Sequence, residues 1–358
     1  MWLFFIVLTQ MLVLTTSIIL WWFVKPQRFI SKAALVVAVF IINNIALAYG
    51  LTEFWRDRFH VYLVIGILQG FMVYAALITI AIAFIYSRLL KRQYRPKLIR
   101  SIGVMIYIGI VSLNVFNAYS PVVHHLTVLT DKPLDKSLTI ALASDTHLGR
   151  WFGNRQIDKM VNLIDEQNPD MVVLAGDIMN DTTIYYDKTN MHEHLSKLRA
   201  PLGVYAVLGN HDYLGYEEAI AKAVKNAGIT VLDNKSVLLN DAIWLVGRSD
   251  DVDSKRLSAE KLLSTVDIDK PIIFLEHRPT AIDEIKDLPV DLHLSGHTHG
   301  GQIFPLTMLK QWFQPLVHGT KNIEDTQFLV SSGYGFGAVP FRLGTRAEIW
   351  TITLQQAQ

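Results

Sequence analysis

The sequence has no cysteine. It therefore forms no disulfide and offers no thiolate, and any metal it holds must rest on His, Asp, Asn or Glu. Acid is almost missing from the first third: between Met1 and Thr130 the only carboxylates are Glu53 and Asp57. Charge of either sign is sparse, at 18% of residues with a formal balance of +1. That balance lacks the basic excess of a dedicated nucleic-acid binder. No internal repeat or low-complexity tract interrupts the chain. Its 358 residues suit two or three units of ordinary domain size, and a mean hydropathy of +0.28 raises the question of where the apolar surplus lies.

It lies before residue 121. Met1 to Val24, Phe29 to Leu51, Tyr62 to Leu90 and Ser101 to Tyr119 are apolar runs, each long enough to cross a hydrocarbon core of roughly 30 Å. A buried soluble helix would need a polar face, which these lack. The first run has no basic n-region or small-residue cleavage site, so it does not read as a cleavable signal. Asn43, Asn44 and Asn114 fall inside the runs and are expected to hydrogen-bond between helices. The first connection carries Lys25, Arg28 and Lys32, and the third carries Lys91, Arg92, Arg95, Lys97 and Arg100. The second has only Arg56 and Arg58, offset by Glu53 and Asp57. Positive loops stay cytoplasmic, which predicts four spans with both the amino terminus and everything after Tyr119 outside the cytoplasm.

The expected organisation is a four-helix transmembrane domain over 1–120, a linker over 121–137 and an α/β domain over 138–358. In the last, short β-rich runs alternate with helical ones, as at Leu138 to Ala143, Arg155 to Gln167 and Met171 to Ala175. Polar residues able to bind metal recur just past the apolar strands: Asp145 and His147, Asp177, Asn210-His211-Asp212, His277-Arg278, and His297 with His299 in LSGHTHGGQ. Strand ends are where open α/β sheets place their ligands, so five such ends can converge on one crevice. Two imidazoles spaced by two on an extended backbone share a face, and imidazole is a common ligand for borderline metals.

The order D-x-H, G-D, G-N-H-D, H and G-H-x-H resembles the calcineurin-like metallophosphoesterase superfamily. SDTHLG, LAGDIMND, LGNHDY, EHRP, SGHTHGGQI and the ending GYG-x-G-x-x-P-x-R-x-G resemble its bacterial membrane-associated branch. The likeness runs from Leu138 to Leu354 and leaves the four apolar runs outside. It implies a β-sandwich flanked by α-helices that carries two divalent metal ions. Carried over residue by residue, Asp145, His147 and His299 would hold one ion, Asn210, His277 and His297 the other, and Asp177 would bridge them. The chemistry wants such a set: two cations about 3.5–4 Å apart share a carboxylate and clamp the oxygens of an in-line displacement. With N and O donors only, manganese, iron and zinc all fit, and manganese is favoured.

His211 cannot easily be a ligand beside Asn210 on an extended segment. It is expected to face the substrate and protonate the leaving oxygen. Many relatives orient this histidine with an aspartate three places after the bridging one. Here Asn180 stands at that place with Asp181 next, so Asp181 and Asp212 are both candidates. Arg278 and Arg342 are candidates for touching a phosphate or for pairing with carboxylates. His293 is out of phase with the metal-facing side and reads as structural.

The expected function is a membrane-bound phosphohydrolase with two metal ions, cleaving a phosphodiester or pyrophosphate bond in a lipid-linked substrate. Its membrane is the bacterial cytoplasmic one, its partners are lipid and phosphate ester without nucleic acid, and its oligomeric state is open. Aromatic and apolar residues near the motifs (Trp151-Phe152, Phe304 to Val317, Phe336, Phe341) suggest an amphipathic rim. A general esterase for small soluble esters, with the membrane part only an anchor, is the alternative. A metal-binding sensor without catalysis is the third reading, disfavoured because no ligand position is replaced.

Overall fold

The computed structural model describes residues 2–24, 26–51, 61–91, 93, 95–213, 216–337 and 339–357. The chain forms two compact units, Met1–Val115 with Ala338–Phe341, and Phe116–Gly337 with Arg342–Gln358.

In the first unit the apolar runs are helices: Trp2–Val24, Phe29–Leu51, Val61–Phe84 continued by Ile85–Leu89, and Pro96–Tyr119. Among the described residues two stretches are long and apolar enough to cross a membrane, Gly70–Leu89 and Pro96–Tyr119; Thr9–Trp22 and Phe29–Ile45 are shorter apolar stretches. The second connection, with Glu53, Arg56, Asp57 and Arg58, lies outside the described residues, as do Lys25 and Arg92. Of the three asparagines, Asn44 makes an interhelical bond, accepting from Gln10 Nε2 at 2.7 Å, and Asn114 faces the Tyr74 hydroxyl of a neighbouring helix. Asn43 and Asn114, both buried, each donate to the carbonyl four residues earlier, at 2.8 and 2.7 Å, because their own helix offers that acceptor at no extra ordering cost.

The second unit is built on two six-stranded mixed sheets. The first contains β1 (Val122–Thr130), β2 (Leu138–Ala143), β3 (Met171–Ala175), β4 (Val204–Val207), β5 (Thr230–Val231) and β12 (Glu348–Gln356), in the order β1-β12-β2-β3-β4-β5. The second contains β6 (Lys235–Leu239), β7 (Ile243–Gly247), β8 (Ile272–Leu275), β9 (Leu292–Ser295), β10 (Gly319–Ile323) and β11 (Thr326–Val330), in the order β10-β11-β9-β8-β7-β6. The sheets pack face to face through Ile140, Leu142, Met171 and Val173 on one side and Leu245, Ile273, Leu292 and Leu329 on the other. Odd and even residues of a strand face opposite ways, so β3 also buries Val172 and Leu174 outward, against helix Asn154–Asp165. Helical segments holding Leu262, Leu263, Ile282 and Ile285 cover Phe274 and Phe328 on the other outer face. The result is a four-layer α/β/β/α arrangement whose central strands are apolar on both faces.

The expected linker is corrected in its first half. Val122–Thr130 is a nine-residue strand, paired in parallel with Glu348–Gln356 from Val122↔Glu348 to Thr130↔Gln356. VVHHLTVLT does not read as a typical strand because His124 and His125 break its alternation. The long-range partner at the far end of the chain supplies the pairing that local propensity does not.

Candidate metal centre

Sheet one brings Asp145 and His147 past β2, Asp177 past β3, and Asn210 and His211 past β4. Sheet two brings His277 past β8, and His297 and His299 past β9. The ligand atoms form three groups: Asp145, His147 and His299; His147, Asp177 and His211; Asp177, His277 and His297. In each group the atoms lie within 4.8 Å of one another. Asp177 belongs to two groups, its Oδ2 3.7 Å from His147 Nε2 and 3.2 Å from His277 Nε2.

The donor atoms point at one another in a way side chains alone do not favour. His147 Nε2 faces His299 Nε2 at 3.1 Å, and His297 Nδ1 faces His277 Nε2 at 3.2 Å. Ring nitrogens stand so close only around a shared proton or cation. Asn210 Oδ1 is buried with no hydrogen-bond partner among the described residues, an exception to the rule that buried acceptors are satisfied. A metal ion would answer both observations, so the residues present fit such a group.

The backbone confirms that the arrangement is imposed. Asp145, His147, Asp177, His297 and His299 all have positive φ, of 52°, 45°, 51°, 69° and 49°. Non-glycine residues rarely adopt this region, which costs about 1–3 kcal/mol each and concentrates at functional sites. The chain tolerates it because glycines stand where loops must touch. A Cβ on Gly209 would overlap Asp177 Oδ1, and one on Gly296 would overlap Ser144 Oγ and Asp145 Oδ2.

Electrostatics follow from burial. Burial pushes the His147 imidazole down to about 4 and His297 to about 3, and holds His299 well below its usual range. These rings are therefore neutral near pH 7, with lone pairs free to bind. Burial raises Asp145 to about 6. Burial alone would raise Asp177 and depress His277, but their mutual attraction reverses both: Asp177 sits well below the usual carboxylate range and His277 rises to about 10. His277 Nδ1 donates to Ala175 O at 2.8 Å, which leaves Nε2 facing Asp177. A proton there balances the negative charge that a divalent cation would balance.

Asn210–Tyr213 is one short helical turn, not the extended segment expected. His211 turns its Nδ1 to Asp181 Oδ1 at 2.6 Å, while its backbone N–H donates to Asp177 Oδ1 at 2.8 Å. Of the two candidate aspartates, Asp181 therefore orients the ring. Asp212 is fully buried and accepts from the N–H groups of Ile178, Met179 and Gly209 at 3.0, 2.9 and 2.9 Å, clipping the β3 loop to the β4 loop.

The two arginines have partners within the protein, Arg278 a carboxylate as one of its two readings has it and Arg342 backbone carbonyls, which neither reading named. Arg342 is completely buried and donates to the carbonyls of Ser332, Gly333 and Gly335 at 2.7, 3.1 and 2.6 Å. Its Nη2 also lies 3.3 Å from His299 Nδ1, so it buttresses a ring instead of presenting itself to a phosphate. Arg278 pairs with the buried Asp250 at 3.0 Å. His293 is fully buried and reaches Glu276 Oε1 at 2.9 Å, a structural place as expected. Lys310 is a residue that sequence reasoning misses: its Nζ donates at 3.2 Å to the carbonyl of Thr298, between the paired histidines. Its only signal is position, inside the apolar stretch after LSGHTHGGQ.

Of the expected rim, Phe304, Met308, Trp151 and Trp312 are exposed, at 39%, 48%, 43% and 72%. Phe152 and Phe336 are buried core. The side chains of Leu306, Leu309 and Phe313 lie outside the described residues.

Residues 138–301 match the family model of the calcineurin-like phosphoesterases. A zebrafish (Danio rerio) transmembrane protein with a metallophosphoesterase domain is 34% identical over 237 residues, covering 62% of this chain and 54% of that protein. An uncharacterized metallophosphoesterase of Aquifex aeolicus is 32% identical over 244 residues, covering 65% of this chain and 91% of its own. One from Campylobacter jejuni is 29% identical over 335 residues, 89% of this chain and 88% of that one. This chain thus spans about half the length of the zebrafish relative and most of the length of these two bacterial ones. The solved TT1561 of Thermus thermophilus aligns over 56% of this chain and 92% of its own, at 16% identity and a TM-score of 0.38; the family rests on the sequence relatives and not on that likeness. With the candidate donors gathered at strand ends and relatives of this similarity, the chain belongs to the calcineurin-like metallophosphoesterase family.

Proposed function

We propose that the chain is a membrane-bound hydrolase of phosphoester bonds, with Asp145, His147 and His299 holding one divalent ion, Asn210, His277 and His297 a second, and Asp177 shared between them. The observation that carries this is the place of Asp177 in two donor groups at once. Bound divalent cations would supply charge neutralisation at the phosphoryl oxygens and a water of lowered pKa, the chemistry an in-line hydrolysis requires. As the water oxygen bonds to phosphorus and the bond to the leaving oxygen breaks, His211 gives that oxygen a proton from Nε2. Asp181 holds the ring by Nδ1 and stabilises the charged form. Arg342 keeps His299 in place from behind. Manganese is the favoured ion among those that suit such donors.

The apolar helices support the reading of four spans, and the arginine and lysine bias of their connections supports a hydrolase unit outside the cytoplasm. Exposed Phe304, Met308 and Trp312 support a lipid-linked phosphodiester or pyrophosphate as substrate. The burial of Phe152 and Phe336 favours the second reading, a general esterase for small soluble esters.

Purified full-length protein should hydrolyse bis(p-nitrophenyl) phosphate, lose that activity in EDTA and regain it with Mn²⁺. Activity indifferent to chelation would end the metal account. Turnover of lipid phosphates above that of the small diester selects the first reading, and the reverse selects the second. Alkaline phosphatase fused after Gln358 should be active if the unit is extracytoplasmic, and inactive if the charge bias has misled.

A further inference from the structure

The helical unit contains a slot lined by Ile19, Trp22, Ile78, Arg100, Val104 and Tyr107, with a volume of about 110 Å³. Arg100 lies in the first turns of Pro96–Tyr119 and Trp22 near the end of Trp2–Val24. In an up-and-down arrangement both stand at the same membrane boundary. From Arg100 to Tyr107 the slot follows two helical turns, about 10 Å of rise. The guanidinium carbon sits 4.8 Å from the centre of the Trp22 ring, and Arg100 Nε is buried with no hydrogen-bond partner among the described residues.

Among the described residues of its unit this cation meets no carboxylate. The only acidic residues before Asp131 are Glu53 and Asp57, which belong in the sequence to the second connection and not to the third, which Arg100 adjoins. A buried N–H without an acceptor costs about 1–3 kcal/mol, and at a bilayer boundary the abundant acceptor is a lipid phosphate. The rest of the lining is almost wholly apolar and suits an acyl chain. We infer that this slot binds one anionic phospholipid, its phosphate on Arg100 beside Trp22 and part of a chain along Ile78, Val104 and Tyr107. The inference rests on the spanning reading given above, and it makes the helical unit a lipid-binding element as well as an anchor.

Full-length protein extracted from membranes in detergent, offered equal phosphatidylglycerol and phosphatidylcholine and read by native mass spectrometry, tests it. Wild type should retain phosphatidylglycerol in preference. Arg100→Gln should bind it roughly tenfold less tightly, the value of one charge-assisted hydrogen bond. Val104→Trp, which fills the open side and leaves the guanidinium, should lose it too. Inorganic phosphate should not compete, because it lacks the chain. Equal retention of the two lipids, unchanged retention in folded Arg100→Gln, or displacement by inorganic phosphate overturns the site. Should Arg100→Gln fail to fold, unchanged retention in Val104→Trp overturns it equally. Protein recovered from the soluble fraction overturns the spanning reading, and that outcome is seen before any lipid is added.

Discussion

Two histidine–carboxylate clusters stand close in the sequence and differ in kind. Behind β8, Glu276 is fully buried and meets His293 at 2.9 Å, Arg256 at 2.8 Å and Arg248 at 3.8 Å. At the strand ends, Asp145 and Asp177 are just as buried but meet imidazoles, N–H groups and the Ser144 hydroxyl. The first cluster supplies its own cations, as buried carboxylates in a finished core must. The second leaves lone pairs converging on points that no arginine or lysine occupies among the described residues. Both hold buried carboxylates beside imidazoles. What distinguishes a site from a core is whether the protein neutralises its own buried charge.

The sharpest way to break this comparison is Asp177→Ala, which removes the carboxylate common to two donor groups. Activity should fall to background, and elemental analysis should find fewer than about one metal ion per chain; full metal content with full activity would dissolve the distinction. His211→Ala comes next. It should keep the metal and lose turnover by roughly 100- to 10,000-fold on a substrate with a poor leaving group. The core cluster should respond in stability instead: Glu276→Ala takes the buried carboxylate from His293, Arg256 and Arg248, the arginines keeping Asp251 and Glu284, and should cost about 1–3 kcal/mol. Thermal unfolding would read that loss, while metal content per folded chain stays unchanged.

The smallest effect belongs to Asp181→Asn. Burial alone would depress His211, but the Asp181 hydrogen bond and the charge of Asp177 lift it to about 9. The proton that His211 gives the leaving oxygen is thus present at neutral pH and lost as pH rises through that value. Asp181→Asn should lower activity roughly 10- to 100-fold, the range for lost support of a site residue. It should also move the alkaline limb of the kcat/KM profile to lower pH. An unmoved limb would mean that Asp181 only packs against the ring.

Much of the fold was legible locally. Runs such as Met171 to Ala175 and the helix with Ile157, Met160, Val161 and Ile164 on one face appear close to where their patterns place them. β1 was not legible, because its partner Glu348–Gln356 stands at the other end of the chain. Nor was the tail of the β9 loop, where His297 and His299 follow left-handed backbone that no side-chain periodicity announces. Asp181 and Asp212 could not be ranked from spacing. Asp181 meets His211 across 30 residues of chain, and Asp212 turns to the β3 loop only because the N–H groups of Ile178 and Met179 await it there.

The sequence by itself determined which atoms were available: no thiolate, carboxylates and imidazoles placed after apolar strands, and an amino-terminal third rich in long apolar runs and nearly without acid. These are matters of composition and short period, which neighbouring residues impose on one another. Only the tertiary structure decided which lone pairs face each other, that Arg342 supports His299 from behind, and that Arg278 answers Asp250. Those pairings join residues from different strands, and their geometry is set by the packing of two sheets and the strained turns between them.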